Sequence, residues 1–183
     1  MQTRGEAALA RPLVERARDL RRSQLGEDHP DTLESAANVV GVLWAVGQYE
    51  RARELGEDSL TRCRRVLGDE HPTTLLLASV IASVLWAVGH YEQARQLGED
   101  TLTRCRRALG AEHPDTLRSA SILAATLGDL GQDEQARQLG EDTLARLRRV
   151  LGDEHPDTLR LAHSLAAVLA SQGEHDQARR REE

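Results

Sequence analysis

Lysine and phenylalanine are absent from this sequence of 183 residues, and asparagine occurs once, at Asn38. Without lysine the chain cannot form a phosphate-binding P-loop that ends in Gly-Lys-Ser/Thr, nor a Schiff base with a carbonyl substrate. Two tryptophans and two tyrosines are the only aromatic residues. An apolar core must therefore consist of leucine, alanine and valine, a composition that favours closely approaching helices.

Long apolar runs are missing as well. No stretch approaches the roughly 18 residues of a membrane-spanning helix, and residues 1–6 contain no hydrophobic segment of a signal peptide. We therefore expect no membrane partner and a cytoplasmic location. The 24 arginines without a single lysine indicate high-GC codon usage and hence a bacterial source.

A nine-residue block at 25–33, Leu-Gly-Glu-Asp-His-Pro-Asp-Thr-Leu, returns with few changes at Leu67, Leu109 and Leu151, each time 42 residues later. A fixed period of this size is the signature of a solenoid. Each unit is too small to bury its own apolar face, so stacked units share one elongated core and expose a long surface that can bind partners.

Apolar residues within each repeat recur at helical spacing and predict two helices, A and B. A glycine is expected at the turn between them, because a residue past a helix end often needs a positive φ. The A–B turns are predicted at Gly47, Gly89, Gly131 and Gly173. Helix B is predicted to end at Gly26, Gly68, Gly110 and Gly152. A proline at its first position suits the next helix A, and these are Pro30, Pro72, Pro114 and Pro156.

The turn sequences Gly-Gln-Tyr-Glu-Arg-Ala at 47–52 and Gly-His-Tyr-Glu-Gln-Ala at 89–94 resemble the Gly-x-Tyr-x-x-Ala signature of tetratricopeptide repeats. The period and the Leu-Gly-x-x-His-Pro-Asp-Thr block are similar to the kinesin-light-chain-like branch of that family, which is abundant in bacteria. This resemblance covers nearly the whole chain. It implies an all-α, right-handed superhelical solenoid of antiparallel helix pairs, and a protein- or peptide-binding scaffold without catalysis or cofactor.

Counting by the period describes the chain as a single array over residues 1–183. Residues 5–25 are predicted to form a lone helix B, 29–68, 71–110 and 113–152 three full repeats, and 155–183 a fourth repeat with a truncated helix B. Neither end shows the polar cap that solenoids normally need. The array is therefore either a segment of a longer one or a homo-oligomer whose ends cover each other.

The family's fold implies that the A helices line a concave binding face. When the groove positions of the family are transferred to this sequence one by one, they predict these partner-binding residues: Asn38, Trp44, Ser79, Val80, Ser83, Trp86, Arg118, Ile122, Asp129, Arg160 and His163. The repeats differ most along helix A, as a surface fitted to a ligand would. Drift on an unused face would produce the same variation.

Trp44 and Trp86, one repeat apart, and the pair Arg118 and Arg160 stand out, because Trp and Arg are over-represented among interface hot spots. We expect an apolar or aromatic anchor near the tryptophans and an acidic segment near the arginines. The alternative is that both tryptophans serve only in packing or in a dimer contact. Kinesin-light-chain-like repeats often bind a peptide backbone through asparagines, of which Asn38 alone is present.

Cys63 and Cys105 occupy equivalent positions, and Leu147 fills that position in the third repeat. The position therefore suits a small buried hydrophobe. Adjacent repeats lie roughly 10 Å apart, which is too far for a disulfide or for a metal ion shared between repeats. We expect no metal site, and a loop or helix-start role for His29, His71, His113 and His155.

Gly56, Gly98 and Gly140 lie inside helix B, where glycine costs about 1 kcal/mol relative to alanine. Close contact with a facing helix A is the expected reason.

Other functions fit the sequence less well. Paired arginines such as Arg64 and Arg65 could bind nucleic acid, but the net charge is -6 and aromatic residues are too few to stack bases, so we expect no nucleic-acid partner. No Gly-x-Ser-x-Gly or His-Glu-x-x-His motif supports an enzyme.

The alternative to a scaffold is a signalling-peptide sensor, or the sensing segment of a larger bacterial regulatory protein.

Overall fold

Helices make up the regular structure in the part of the chain that can be described. The computed structural model describes the backbone of residues 2–182 and the side chains of residues 7–170. The helices are α1 (Gln2–Leu25), α2 (Pro30–Ala45), α3 (Tyr49–Val66), α4 (Pro72–Ala87), α5 (Tyr91–Ala108), α6 (Pro114–Asp129), α7 (Asp133–Leu151) and α8 (Pro156–Glu182). The predicted all-α class is confirmed, with α2, α4, α6 and α8 as A helices and α1, α3, α5 and α7 as B helices.

The chain divides into two compact units, Met1–His90 and Tyr91–Glu183, which show the same packing pattern. In the first unit, α2 packs against α1, α3 and α4, and α3 also packs against α4. In the second unit, α6 packs against α5, α7 and α8, and α7 also packs against α8. The B helices α3 and α7 therefore each lie against the A helix of their own repeat and the A helix of the next.

A histidine caps the start of each A helix. Nδ1 of His29 accepts a hydrogen bond from the backbone N–H of Asp31 at 3.2 Å. Bonds of the same length join His71 to Thr73, His113 to Asp115 and His155 to Asp157. His29 is extended, with φ -69° and ψ 137°, as expected for a residue before proline. The imidazole satisfies one of the N–H groups that a helix start leaves without a partner.

Glycines close the turns with positive φ. At Gly47 φ is 82°, and the Gly47 N–H donates to the Trp44 carbonyl at 3.0 Å, next to the end of α2. Residues that carry a side chain rarely adopt this region of φ. In the described residues, the other glycines with positive φ are Gly26, Gly68, Gly89, Gly110, Gly131 and Gly152. The predicted glycine turns are thus confirmed at all positions but one.

Gly173 is the exception. Helix α8 is continuous from Pro156 to Glu182, so neither the turn predicted at Gly173 nor the truncated helix B of the fourth repeat is formed. The sequence after Gly173 explains the difference. Ala178 is the only apolar residue in 174–183, so a returning helix would have no apolar face to bury against α8.

Leucines at the seams between A and B helices form the core. In the second unit, Leu117 of α6 shares a cluster with Leu144 and Leu147 of α7 and with Leu161 and Leu165 of α8. Burying one such side chain contributes about 1.5–3 kcal/mol. Helix α7 is thus held by leucines of the A helices on both sides.

A central glycine lets each of these B helices approach an A helix closely. A Cβ built on Gly56 would lie 2.9 Å from Cγ1 of Ile81, whereas one built on Gly98 would lie 3.4 Å from Cδ1 of Leu123. Gly140 is intermediate, with 3.1 Å to its nearest neighbour. The predicted close contact is confirmed, and it is tightest at Gly56, where the β-branched Ile81 has little rotamer freedom.

Alanine should therefore have opposite effects at Gly56 and Gly98. Alanine inside a helix gains up to about 1 kcal/mol over glycine, and at Gly98 the added methyl makes an ordinary contact, so Gly98→Ala should raise the free energy of unfolding. Gly56→Ala should lower it by about 1 kcal/mol, and Gly98→Leu by about 1–3 kcal/mol, because both overfill the contact. Urea unfolding followed by circular dichroism measures all three. Equal stabilities would contradict the close approach.

Removing a histidine cap should weaken the helix that follows it. His71→Ala should lower the free energy of unfolding by about 1 kcal/mol, the usual cost of losing a side-chain N-cap. His71→Asn should recover most of that loss, because its amide oxygen can accept the same bond. Denaturation midpoints compare the two variants, and equal midpoints would show that the cap contributes nothing.

Candidate protein-binding surface

The first unit exposes one side of α2 and α4, which pack against each other. On α2, Asn38 is exposed and Trp44 half-buried, and on α4, Val80 is half-buried. Trp86 leaves 37% of its surface in solvent. Trp44 and Trp86 are 42 residues apart, so both indoles lie near the C-terminal ends of neighbouring A helices. These four predicted residues are accessible, and together with half-buried Gly41 they form a surface called here the tryptophan face.

The prediction of Ser79 and Ser83 as contact residues is wrong. They are 1% and 6% exposed, and the Ser83 hydroxyl donates to the backbone carbonyl of Ser79 at 3.0 Å. Neighbouring helices cover more of α4 than of α2: ten of its residues are buried, against eight in α2. The accessible strip of α4 is therefore too narrow to include the two serines.

Gly41 forms a notch in the tryptophan face, one helical turn from Asn38 and from Trp44. A Cβ built on Gly41 would meet no atom within 4 Å. Unlike Gly56, this glycine is not required by helix packing, although it carries the same cost of about 1 kcal/mol inside a helix. The only signal of the notch in the sequence is that the equivalent position of the next repeat holds a larger residue, Ser83.

The A helices of the second unit, α6 and α8, differ at the tryptophan positions, where Gly128 and Ala170 stand. Of the residues predicted to bind a partner there, Ile122 is half-buried, and Asp129 and His163 are exposed. This unit therefore offers an accessible A-helix side without an aromatic anchor.

Arg118 and Arg160, also in the second unit, are accessible but ion-paired. Nη1 of Arg118 lies 3.2 Å from Oδ1 of Asp115, and Nη2 of Arg160 lies 2.7 Å from Oδ1 of Asp157. Each aspartate precedes its arginine by three residues in the same helix. Exposed pairs of this kind contribute only about 0–1 kcal/mol, so a carboxylate of a ligand can replace the aspartate at little cost.

The exposed sides of the B helices carry ion pairs that neutralise one another. Arg95 lies 2.6 Å from Glu92 and 2.7 Å from Glu99. Hydrogen bonds from Arg95 and Gln96 lower the pKa of Glu92 to about 2. The same arrangement around Arg137 lowers the pKa of Glu134. These charges form a solvated face.

Arginines at the ends of the B helices are also paired, with acidic residues of the loops. Nη2 of Arg65 lies 2.7 Å from Oδ1 of Asp28 in the first unit, and Arg149 bonds Glu112 in the second. A paired arginine contributes little to the positive potential that a nucleic-acid backbone requires. The ends of these helices are therefore poor nucleic-acid sites.

A groove of about 210 Å³ with both charged and apolar lining residues lies between α1 and α3, above α2. Its lining residues are Arg18, Arg22, Glu27, Thr32, Leu33, Ala36, Leu55, Asp58, Ser59 and Arg62. Glu27 binds Arg22 at 2.6 Å and Arg62 at 2.7 Å. The guanidinium groups already have carboxylate partners, so the groove links α1 to α3 through ion pairs and offers no free charge for a ligand.

Cys63 and Cys105 are free, buried thiols. Desolvation raises the pKa of each to about 11. They serve as small core hydrophobes, as the repeat predicts. In the described part of the chain, no three His, Cys, Asp or Glu side chains are placed to hold a metal ion. Nor does any helix described there have the length and apolar character to cross a membrane.

Packed helix pairs that recur every 42 residues define a helical-repeat protein of the scaffold class. The family model of the tetratricopeptide repeat matches residues 1–62, 35–106, 76–149 and 123–183. Because these segments span the whole chain, the protein belongs to the tetratricopeptide repeat family.

Solved structures point to one branch of the family. A single-substitution variant of nearly identical TPR-like repeats assigned to a kinesin light chain of Podosopora anserina aligns with a TM-score of 0.75 and 29% identity, over 96% of this chain and 83% of that one. The structure without this substitution aligns with a TM-score of 0.73 at the same identity and coverage. BtubC (BKLC) from P. vanneervenii shares the fold, with a TM-score of 0.76 and 19% identity over 97% of this chain and 71% of that one. No curated protein matches the chain. The predicted kinesin-light-chain-like resemblance is confirmed.

The folded protein should react slowly with a thiol reagent at about pH 8. Raising the pKa from 9.0 to about 11 leaves roughly a hundredfold less thiolate at this pH, and burial also limits access. In guanidinium chloride both cysteines should react at once. The absorbance of the released reagent anion measures both rates, and rapid labelling of folded protein would contradict the burial of the two thiols.

Proposed function

We propose that this chain is a non-catalytic scaffold that binds an extended peptide segment of a partner protein on the tryptophan face. Tetratricopeptide repeats generally mediate protein interactions, which supplies the class of function. The accessible residues of the first unit indicate which chemical groups the ligand should carry.

Exposure of Trp86 beside Trp44 is the observation that carries the proposal. Tryptophan offers a large, rigid apolar surface and is enriched among the residues that dominate binding energy. Two indoles on adjacent helices suit one apolar or aromatic side chain of the partner. That side chain is the proposed anchor of the peptide.

Gly41 and Asn38 support an extended ligand whose main chain lies close to α2. The open space over Gly41 allows a closer approach than any larger residue would. The exposed amide of Asn38 has both donor and acceptor atoms and can bond the N–H and C=O of a peptide. The main chain is thus proposed to pass Asn38 and Gly41, with its anchor between Trp44 and Trp86.

A second contact is proposed on the other unit, where Arg118 and Arg160 can bind acidic residues of the same partner. A ligand carboxylate would replace Asp115 or Asp157 in the existing ion pairs. Screening by salt should weaken this contact and leave the apolar anchor unaffected.

The proposal includes a cytoplasmic location in a bacterium. The arginine-only basic composition supports the bacterial source.

Truncating the tryptophans should weaken binding of the partner. Wild-type chain captures the partner from a lysate of the source organism, and the purified partner is then titrated. Trp86→Ala should raise the Kd at least tenfold, because loss of a hot-spot side chain costs about 2 kcal/mol or more. Gly41→Leu should also block binding by filling the notch. The chain has two tryptophans, so the wild-type fluorescence reports on this face alone.

Val150→Ala is the matched control, since it truncates an exposed apolar side chain of α7 in the other unit. It should bind as tightly as wild type. Thermal midpoints establish that each variant is folded. Equal affinity of wild type, Trp86→Ala and Gly41→Leu for the purified partner would contradict the proposal.

A further inference from the structure

Helix α1 has an apolar strip that α2 leaves uncovered. Leu9 is 77% exposed, Leu13 72% and Leu20 50%. Exposed Ala17 lies between the last two, so the four side chains follow one side of the helix at intervals of three and four residues. Leu9, Leu13, Ala17 and Leu20 are called the α1 strip.

This strip departs from the repeat. At the positions of Leu9 and Leu20, α3 has Arg51 and Arg62. Helices α5 and α7 have glutamine and arginine at the same two positions. B helices inside the array thus keep these positions polar, whereas α1 presents leucine for an apolar contact that the others lack.

Helix α8 leaves a second apolar face uncovered. Leu159 is 57% and Leu169 45% exposed. The equivalent residues of α6, Leu117 and Leu127, are 1% and 4% exposed because they pack in clusters with α7. Helix α8 continues without a turn through Gly173, so residues 174–182 do not fold back over this face as a B helix. The exposed residues Leu159, Ala166 and Leu169, together with half-buried Ala162 between them, are called the α8 strip.

We propose that a second copy of this chain covers these faces, with the α1 strip of one copy docked on the α8 strip of the next. Among the described residues, α8 is an A helix without a covering B helix. Helix α1 is a B helix that packs on α2 and leaves its other apolar side exposed. The α8 strip can therefore accept a B helix, and the α1 strip belongs to a B helix with a free apolar side. The contact uses no residue of the tryptophan face.

The contact continues an interface that the chain already contains. Helix α2 packs on α3, and α6 on α7, as A–B pairs. In the second pair, Ala136 and Leu139 of α7 lie against the α6 cluster. Their equivalents in α1 are Ala10 and Leu13. A docked α1 would therefore present Leu13 to α8 as α7 presents Leu139 to α6.

The same template sets the direction of docking. Leu147, near the end of α7, packs with Leu117, near the start of α6. In α1 the position of Leu147 is held by Arg21, directly after Leu20. An antiparallel α1 in this orientation would therefore bring the Leu20 end of the α1 strip toward the Leu159 end of the α8 strip.

Two arginines of α1, Arg18 and Arg21, stand where α7 has buried leucines. Nη2 of Arg18 lies 2.7 Å from Asp19, and Nη1 of Arg21 lies 2.6 Å from the Ser35 hydroxyl. Both guanidinium groups thus have partners within their own unit. Because these two positions are not apolar, the apolar contact with α8 is made by the α1 strip.

The charges near the two strips favour a contact between α1 of one copy and α8 of another. Residues 7–25 contain five arginines and two acidic residues, whereas residues 153–170 contain three acidic residues and one arginine. Opposite net charges attract and orient the two surfaces, and pairing of α1 with α1 would bring like charges together. The contact is therefore heterologous, and each added copy presents a new α8 strip.

Sedimentation velocity over a range of concentrations tests the proposal. The wild-type chain should show a weight-average sedimentation coefficient that rises with concentration. Two variants each place two glutamates on one strip: Leu13→Glu/Leu20→Glu on α1 and Leu159→Glu/Leu169→Glu on α8. All four leucines are largely exposed, so the variants should fold, which circular dichroism verifies. Each variant alone should lose the concentration dependence.

Mixing the two variants distinguishes the proposed contact from others. Each retains the strip that the other has lost, so an equimolar mixture should form a 1:1 dimer and nothing larger. Pairing of α1 with α1 would instead make the α8 variant dimerise alone and leave the mixture without a new species.

Val66→Glu/Val150→Glu is the matched control, since it adds two glutamates at exposed apolar positions outside both strips. It should associate as wild type does. A wild-type chain that stays monomeric at every concentration, self-association of either single-strip variant, or a mixture without a dimer would overturn the proposal.

Discussion

Each apolar seam in this protein is completed by a helix from the neighbouring repeat. Leu117 of α6 is buried because α7 lies over it, and α7 is itself held from its other side by leucines of α8. No helix pair carries enough apolar surface to be stable alone, so stability is a property of neighbouring repeats. On the first and last helices of the described chain, leucines outside such a seam are left in solvent, as at Leu13 and Leu159.

The A helices combine two requirements on opposite sides. One side must fit closely to a B helix, and Gly56 shows how closely, since a single methyl there would meet Ile81 at 2.9 Å. The accessible part of the other side can differ between repeats, because no core contact depends on it. Glycine serves two different purposes here: Gly56 in the B helix α3 admits a neighbouring A helix, and Gly41 in the A helix α2 leaves a notch on the tryptophan face. Core packing thus constrains the side of each A helix that faces a B helix, while the accessible side can vary with the ligand.

Local rules made most of the fold predictable from the sequence. Proline at the first helical position and glycine at positive φ act within a few residues, so the period places nearly every helix correctly. Gly173 shows the limit, because a turn persists only when the segment after it can bury an apolar face, and residues 174–183 cannot. The candidate surface was less predictable. Whether Ser79 and Ser83 reach solvent depends on how much neighbouring helices cover α4, and no periodicity contains that information.

The histidine caps combine two local signals in one dipeptide. The proline that follows keeps His29, His71 and His113 in extended geometry, and Nδ1 of each cap accepts the N–H two residues further on. The same His-Pro pair begins α2, α4, α6 and α8, so all four A helices start at the same point of the repeat. A single dipeptide, repeated with the period of the chain, thus sets the register of the whole array.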